Sequence, residues 1–122
     1  MKIAYQGIPG SYSESCAKSN YPDCETISCK TFDECFEIAN KDSSIKTIIP
    51  ESNKTTGNIG VEFLIFKYRL NIYAEHFFSI KHNLLGLKGS SIDNIKDVYS
   101  HAQALSQSSE FIKANNLNEN VR

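Results

Sequence analysis

Two helix-start signals, each placed just after a short apolar run, constrain the fold of this 122-residue chain most strongly. Ser11-Tyr12-Ser13-Glu14 and Thr31-Phe32-Asp33-Glu34 both have the form of a capping box, with Ser or Thr at the helix start and Glu three residues later. The runs Lys2–Gln6 and Glu25–Cys29 that precede them favour strands. A third strand is expected over 45–50, followed by a long apolar helix that opens at Gly57. This alternation predicts an α/β fold with a largely parallel sheet.

From residue 71 the pattern changes. An extended stretch over 71–87 is expected to lead into a helical turn, a short strand over 97–100 and one amphipathic helix. The stripe of this helix consists of Ala104, Leu105, Ser108, Phe111 and Ile112, and we expect Leu105 and Phe111 to face inward. These elements are too few to close a second sheet. We therefore expect two lobes, a complete one over 1–72 and an incomplete one over 73–122.

Charge and cysteine spacing exclude several classes of protein. The net charge is −1, and with two arginines and scattered lysines the chain has no basic footprint for nucleic acid. No apolar run approaches the roughly 20 residues that span a bilayer, and the start does not resemble a secretory signal, so a cytoplasmic protein without membrane contact is expected. The four cysteines form no CxxC pair, which predicts buried, reduced thiols and no metal site; they are Cys16, Cys24, Cys29 and Cys35.

Three polar segments are candidates for ligand contact. The loop 7–10 leads into the helix at Ser11, where unpaired N–H groups suit a carboxylate, although a plain strand-to-helix turn fits the spacing equally well. The loop 50–57 follows the third strand and carries neutral donors and acceptors, or it simply caps the next helix. In the third segment, Ser100 and Gln107 are seven residues apart, which on one helix places them about 10 Å apart on the same face. His101 is either a general base or a neutral structural histidine.

The chain resembles the catalytic domain of prephenate dehydratase in five segments that keep the family's order and spacing. These are YQGIPGSYSE, KTFDECFEIAN, IIPESNKTTG, SIKHNLLGLKG and VYSHAQALSQ. The resemblance implies a two-lobed fold like a type II periplasmic-binding protein, with the active site in the cleft. It also implies a lyase of phenylalanine biosynthesis that converts prephenate to phenylpyruvate by loss of water and carbon dioxide, without a cofactor.

Carried over by position, the family's catalytic residues fall on Asn53, Ser100 and Gln107. Neutral groups of this kind can orient a dicarboxylate, and the gain of an aromatic ring leaves little more for catalysis to supply. The remaining candidate contacts with the substrate are Gly7, Pro9, Gly10, Ser11, Thr55, Gly57 and His101.

Two departures from the family pattern lead to competing interpretations of the function of this chain. Ser52 and Lys54 stand where the family has Glu and Ser, and the family's Thr-Arg-Phe motif, whose Thr is the favoured general acid, would fall past Arg122. We therefore expect a part of the catalytic domain that is inactive alone, needs a carboxyl-terminal segment and forms a homo-oligomer. The competing interpretations are a non-catalytic module of the same fold that binds small carboxylates, and a truncated product without independent function.

Overall fold

The computed structural model describes residues 1–53 and 57–122. Its first part alternates strands and helices as the sequence predicts, in the order β1 (Lys2–Gln6), α1 (Tyr12–Asn20), β2 (Glu25–Cys29), α2 (Phe32–Lys41) and β3 (Ile45–Ile48). The three strands form one parallel sheet with β1 in the middle, between β2 and β3. The predicted α/β class is confirmed.

Both predicted helix starts form, and the Ser or Thr half of each capping box is present. The Ser11 and Thr31 side chains accept the N–H groups of Glu14 and Glu34 at 3.4 and 3.1 Å, and both cap residues have extended backbones. Each Glu carboxylate reaches one residue further back than in the standard box. Glu14 accepts from the Gly10 N–H at 2.6 Å, and Glu34 accepts from the N–H of the residue before Thr31 at 2.7 Å.

The core of the sheet lies around β1, which is covered on both faces. Its residues Ile3, Ala4 and Tyr5 are almost fully buried, as expected for the central strand of a parallel sheet. Cys35 of α2 is fully buried in contact with this core, and burial raises the pKa of its thiol to about 12. Of the other cysteines, Cys16 and Cys29 are buried, Cys24 is partly buried, and all are free. The prediction of buried, reduced thiols is confirmed for three of the four.

The helix expected from Gly57 begins later. Gly57 belongs to a short antiparallel hairpin of β4 (Ser52–Asn53) and β5 (Gly57–Asn58), and α3 runs over Glu62–Tyr68. The backbone φ angles of Gly57 and Gly60, +74° and +78°, explain the delay, because a right-handed helix cannot contain them. The apolar residues that suggested a longer helix are therefore confined to two turns.

The chain divides into two compact units, Met1–Ser79 and Ile80–Arg122. Residues 70–87 form neither helix nor strand, so the extended stretch expected there does not pair with another strand in a sheet. Within the first unit this stretch is held by side chains, for example by the His76 ring, whose Nε2 lies 2.9 Å from the Tyr21 hydroxyl. The lobe division at residue 72 stays a prediction.

The second unit is built on two parallel strands, β6 (Asp97–Ser100) and β7 (Asn118–Val121), the latter not foreseen from the sequence. Between them, the expected single helix is broken at Ser108 into α4 (Ala102–Gln107) and α5 (Ser109–Ala114). Phe111 is 49% exposed, whereas Ile112 is 3% exposed and packs with Leu105. The expectation of an inward Phe111 is wrong. None of the helices in the two described ranges is long and apolar enough to cross a membrane.

Candidate active site

The glycine loop, residues 7–11, connects the carboxyl end of β1 to α1, the edge of a parallel sheet where ligands bind. Gly7 and Gly10 have φ angles of +125° and +89°, which other residues rarely adopt. The N–H groups of Gly7, Gly10 and Ser11 donate to the Cys29 carbonyl, the Glu14 carboxylate and the Ile8 carbonyl. These N–H groups hold the loop in shape. The predicted contact of Gly7, Pro9, Gly10 and Ser11 with a substrate carboxylate stays a prediction.

Glu14 is the charged centre behind this loop. Its side chain is buried, and its carboxylate accepts from the Gly10 N–H at 2.6 Å, the Lys18 ammonium at 2.7 Å and the Thr26 hydroxyl at 3.0 Å. These donors lower the pKa of Glu14 to about 2, the Gly10 N–H contributing most. An anionic Glu14 therefore ties the loop to both α1 and β2. The sequence showed its capping role and not this wider network.

The second candidate segment is the β4–β5 hairpin. Asn53 is the last residue of β4 and pairs with Gly57 of β5, whose backbone is exposed; the proposed contact Thr55 lies outside the described residues. The Asn58 side chain donates to Glu62 and accepts the Gly60 N–H, which fixes the hairpin to the start of α3. The contact with Asn58 lowers the pKa of Glu62.

The third candidate segment lies in the second unit. Ser100 is the last residue of β6, and Gln107 is the last residue of α4, both half-buried. His101 caps α4: its Nδ1 accepts the Gln103 N–H at 3.3 Å, which requires a neutral ring with the proton on Nε2. Because Ser100 and His101 have extended backbones, the helical spacing expected between Ser100 and Gln107 does not apply. Ser100 instead lies where β6 leads into α4, and Gln107 lies at the other end of that helix.

One residue near this segment was missed. The His82 ring lies against Gln107, with Nε2 2.7 Å from Oε1 of the carboxamide. His82 stands at no spacing from other polar residues that predicts a site. Its position within the SIKHNLLGLKG segment was the one signal that could have singled it out.

A separate cavity of about 450 Å³ lies in the second unit, with a mixed polar and apolar lining that includes Leu84, Phe111 and Asn115. None of the candidate site residues lines it. Within residues 1–53 and 57–122, no group of three or more His, Cys, Asp or Glu side chains is arranged to hold a metal ion.

Known proteins resemble the chain over almost its whole length. The prephenate dehydratase family model matches residues 3–121. Arogenate dehydratase 2 of Petunia hybrida is 39% identical over 108 residues, which are 88% of this chain and 27% of that protein. Arogenate dehydratase/prephenate dehydratase 1, chloroplastic, of Arabidopsis thaliana is 38% identical over 108 residues, 88% of this chain and 28% of that protein. The chain thus spans about a quarter of the length of these curated relatives.

Two solved structures share the fold. The prephenate dehydratase from Staphylococcus aureus subsp. aureus Mu50 superposes with a TM-score of 0.72 and 21% identity, over 100% of this chain and 47% of that one. A protein described as GqqA, a novel type of quorum quenching acylase, superposes with a TM-score of 0.76 and 26% identity, over 100% of this chain and 45% of that one.

The relatives correct one expectation and settle the family. The prediction of a cytoplasmic protein is wrong on this comparison, because relatives from Arabidopsis thaliana at 36–38% identity are named as chloroplastic. The family model covers all but the first two residues and the last one. This chain belongs to the prephenate dehydratase family.

Proposed function

We propose that this chain forms part of an enzyme that converts prephenate to phenylpyruvate in phenylalanine biosynthesis. The observation that carries the proposal is the match of the family model over residues 3–121. The placement of Ser100 and Gln107 supports it, because these two neutral polar residues end the consecutive elements β6 and α4 of one unit. We also propose the two-lobed arrangement of a type II periplasmic-binding protein, with Asn53 on one lobe and Ser100 and Gln107 on the other.

The proposed reaction asks little acid–base chemistry of these residues. The bond between the ring and its carboxylate breaks and releases carbon dioxide, and its electron pair moves into the ring. The ring then expels the hydroxyl group, which takes up a proton and leaves as water. Amide and hydroxyl groups hold a carboxylate without protonating it, so Asn53, Ser100 and Gln107 are suited to orientation, and a positioned acid supplies the proton.

Arogenate is the second candidate substrate. A relative that is 39% identical is named arogenate dehydratase, and others carry both names. Arogenate carries an amino group where prephenate has a keto group, so the same loss of carbon dioxide and water gives phenylalanine. The two substrates share the ring, both carboxylates and the leaving hydroxyl, and therefore differ at one side-chain position.

Ligand binding and turnover test the proposal separately. Amide shifts are followed by NMR while prephenate, arogenate or phenylpyruvate is added, and product is measured with the chain alone and with a carboxyl-terminal segment of a dehydratase of the family. We expect shifts at the glycine loop and around Gln107, and turnover when the segment is present. Binding without turnover in both mixtures would favour a non-catalytic carboxylate-binding module. No response at millimolar ligand would exclude the proposed site.

A matched pair of variants in α4 locates the site. Gln107→Ala is expected to weaken binding and reduce turnover, whereas Gln103→Ala, which removes an exposed amide from the same helix, leaves both unchanged. Equal effects of the two variants would point to loss of the helix and not of a substrate contact.

A further inference from the structure

The contact between His82 and Gln107 joins two distant parts of the second unit. His82 lies in the irregular stretch before β6, and Gln107 ends α4, 25 residues further along the chain. The two side chains meet at 2.7 Å between Nε2 of His82 and Oε1 of Gln107. A carbonyl oxygen only accepts hydrogen bonds, so Nε2 carries the proton and donates it.

This bond selects one orientation of the Gln107 carboxamide. The two ends of a carboxamide are nearly equal in size, so an unheld group can turn its oxygen or its nitrogen toward a neighbour. Holding the oxygen at His82 leaves the –NH₂ end as the outward group. The orientation decides the sign of an interaction with an anion, because an –NH₂ group attracts a carboxylate and a carbonyl oxygen repels it.

We propose that His82 is a positioning residue for Gln107, which it holds so that the –NH₂ group of the carboxamide donates to a carboxylate of the substrate. This inference rests on the proposed function, since the orientation matters only if an anionic ligand binds at Gln107. His82 acts through Gln107 and does not itself contact the reacting atoms.

The first experiment needs no ligand. Nitrogen-15 NMR of the His82 ring in the 122-residue chain is expected to show the proton on Nε2 in the neutral form. The side-chain –NH₂ signals of Gln107 are expected to shift in His82→Ala and to return toward the original position in His82→Gln, whose amide also donates. A neutral His82 ring protonated on Nδ1 would overturn the proposal.

The second experiment measures the affinity for phenylpyruvate. Loss of one neutral hydrogen bond predicts that His82→Ala weakens binding about two- to tenfold, and that His82→Gln restores it to within about twofold. Adding His82→Ala to Gln107→Ala is expected to have no further effect, because the only path from His82 to the ligand has been removed. His76→Ala, which removes a hydrogen-bonded histidine from the first unit, serves as the control and is expected to leave the affinity unchanged.

The outcomes separate the two proposals. If the unaltered chain binds neither phenylpyruvate nor prephenate, the proposed function fails, whatever the ring nitrogens show. If the unaltered chain binds and His82→Ala binds equally well, or if the two substitutions act additively, the positioning role is wrong. An unfolded His82→Ala would be seen in its amide spectrum, and His82→Gln then decides: loss of affinity in that folded variant also overturns the proposal.

Discussion

At the scale of single residues, Glu14 stands out because a buried carboxylate is costly unless donors surround it. Here it has three, from Gly10, Lys18 and Thr26, and all of them lie outside the capping box Ser11–Glu14. The loop that leads into α1 is therefore held by a charge, and its shape depends on that charge.

The low pKa of Glu14 predicts a stability that depends on pH. The pKa is about 2 in the folded chain, against an ordinary value of 4.5, so the stabilisation is complete above about pH 4.5 and is lost as the pH falls toward 2. We expect the free energy of unfolding, measured with urea at steps from pH 6 to pH 2.5, to fall less in Glu14→Gln than in the unaltered chain. The control is Glu37→Gln, which removes an exposed carboxylate that also pairs with a lysine four residues on. Identical pH dependence in Glu14→Gln and the unaltered chain would contradict the prediction.

Gly7 and Gly10 provide a second prediction at this scale. Both have positive φ, but a Cβ at Gly7 would lie 3.3 Å from the Ser11 side chain, and a Cβ at Gly10 would have nothing within 4 Å. Gly10→Ala is expected to lower the free energy of unfolding by about 1 kcal/mol through backbone strain, and Gly7→Ala by about 1–3 kcal/mol. Thermal and urea unfolding measure both. A larger loss in Gly10→Ala than in Gly7→Ala would show that the contact with the Ser11 side chain does not add to the destabilisation at Gly7.

At the scale of elements, only part of the apolar stripe predicted over 104–112 is buried. Leu105 and Ile112 are seven residues apart, which places them within about 20° of each other on a helix, and both are 3% exposed. Phe111 lies about 120° from Leu105 around the same helix and is 49% exposed. Ser108, with a backbone φ of −104° and ψ of 8°, divides the stretch into two helices, and Ile112 still packs with Leu105.

Two truncations test which side chains of this stripe form the core. Leu105→Ala removes a side chain from the core of the second unit and is expected to lower the free energy of unfolding by about 2–5 kcal/mol. Phe111→Ala removes a larger but half-exposed side chain and is expected to cost about 1 kcal/mol or less. Urea denaturation followed by circular dichroism measures both. A greater loss from Phe111→Ala would contradict the core of the second unit described above.

At the scale of the whole molecule, much apolar surface of the described residues faces solvent. Phe77 is 94% exposed, and Leu85 and Leu87 are each 87% exposed. Leu85 and Leu87 lie two residues apart in the second unit, and neighbouring exposed apolar side chains mark surfaces that associate. The second unit also rests on a sheet of two strands, and such small sheets gain little stability on their own.

We expect the 122-residue chain to self-associate through the stretch that contains Leu85 and Leu87. Light scattering after size exclusion is expected to show a mass that rises with concentration over the micromolar range. The double variant Leu85→Gln, Leu87→Gln is expected to remain closer to a monomer. Phe66→Gln, which removes a similarly exposed side chain from α3, is the control and is expected to associate like the unaltered chain. Association that is equal in all three proteins would remove this stretch from the interface.

The sequence by itself determined the features that depend on neighbours along the chain. Local hydrogen bonding and apolar spacing account for the two helix starts, the strands before them and the burial of Cys29 and Cys35. The family could also be recognised from the sequence, because its segments are short stretches of contiguous residues. The candidate residues Ser100 and Gln107 were inferred from the same resemblance to the family.

The tertiary structure decided what depends on contacts between distant residues. Strand β7 forms because Asn118–Val121 pairs with β6, and no local pattern marks that ladder. The start of α3 was set by positive φ angles at Gly57 and Gly60, which glycine permits but does not require. The donors around Glu14 and the bond from His82 to Gln107 come from segments as far as 25 residues apart. Such pairings depend on how the folded chain packs, and the order of residues along the chain does not reveal them.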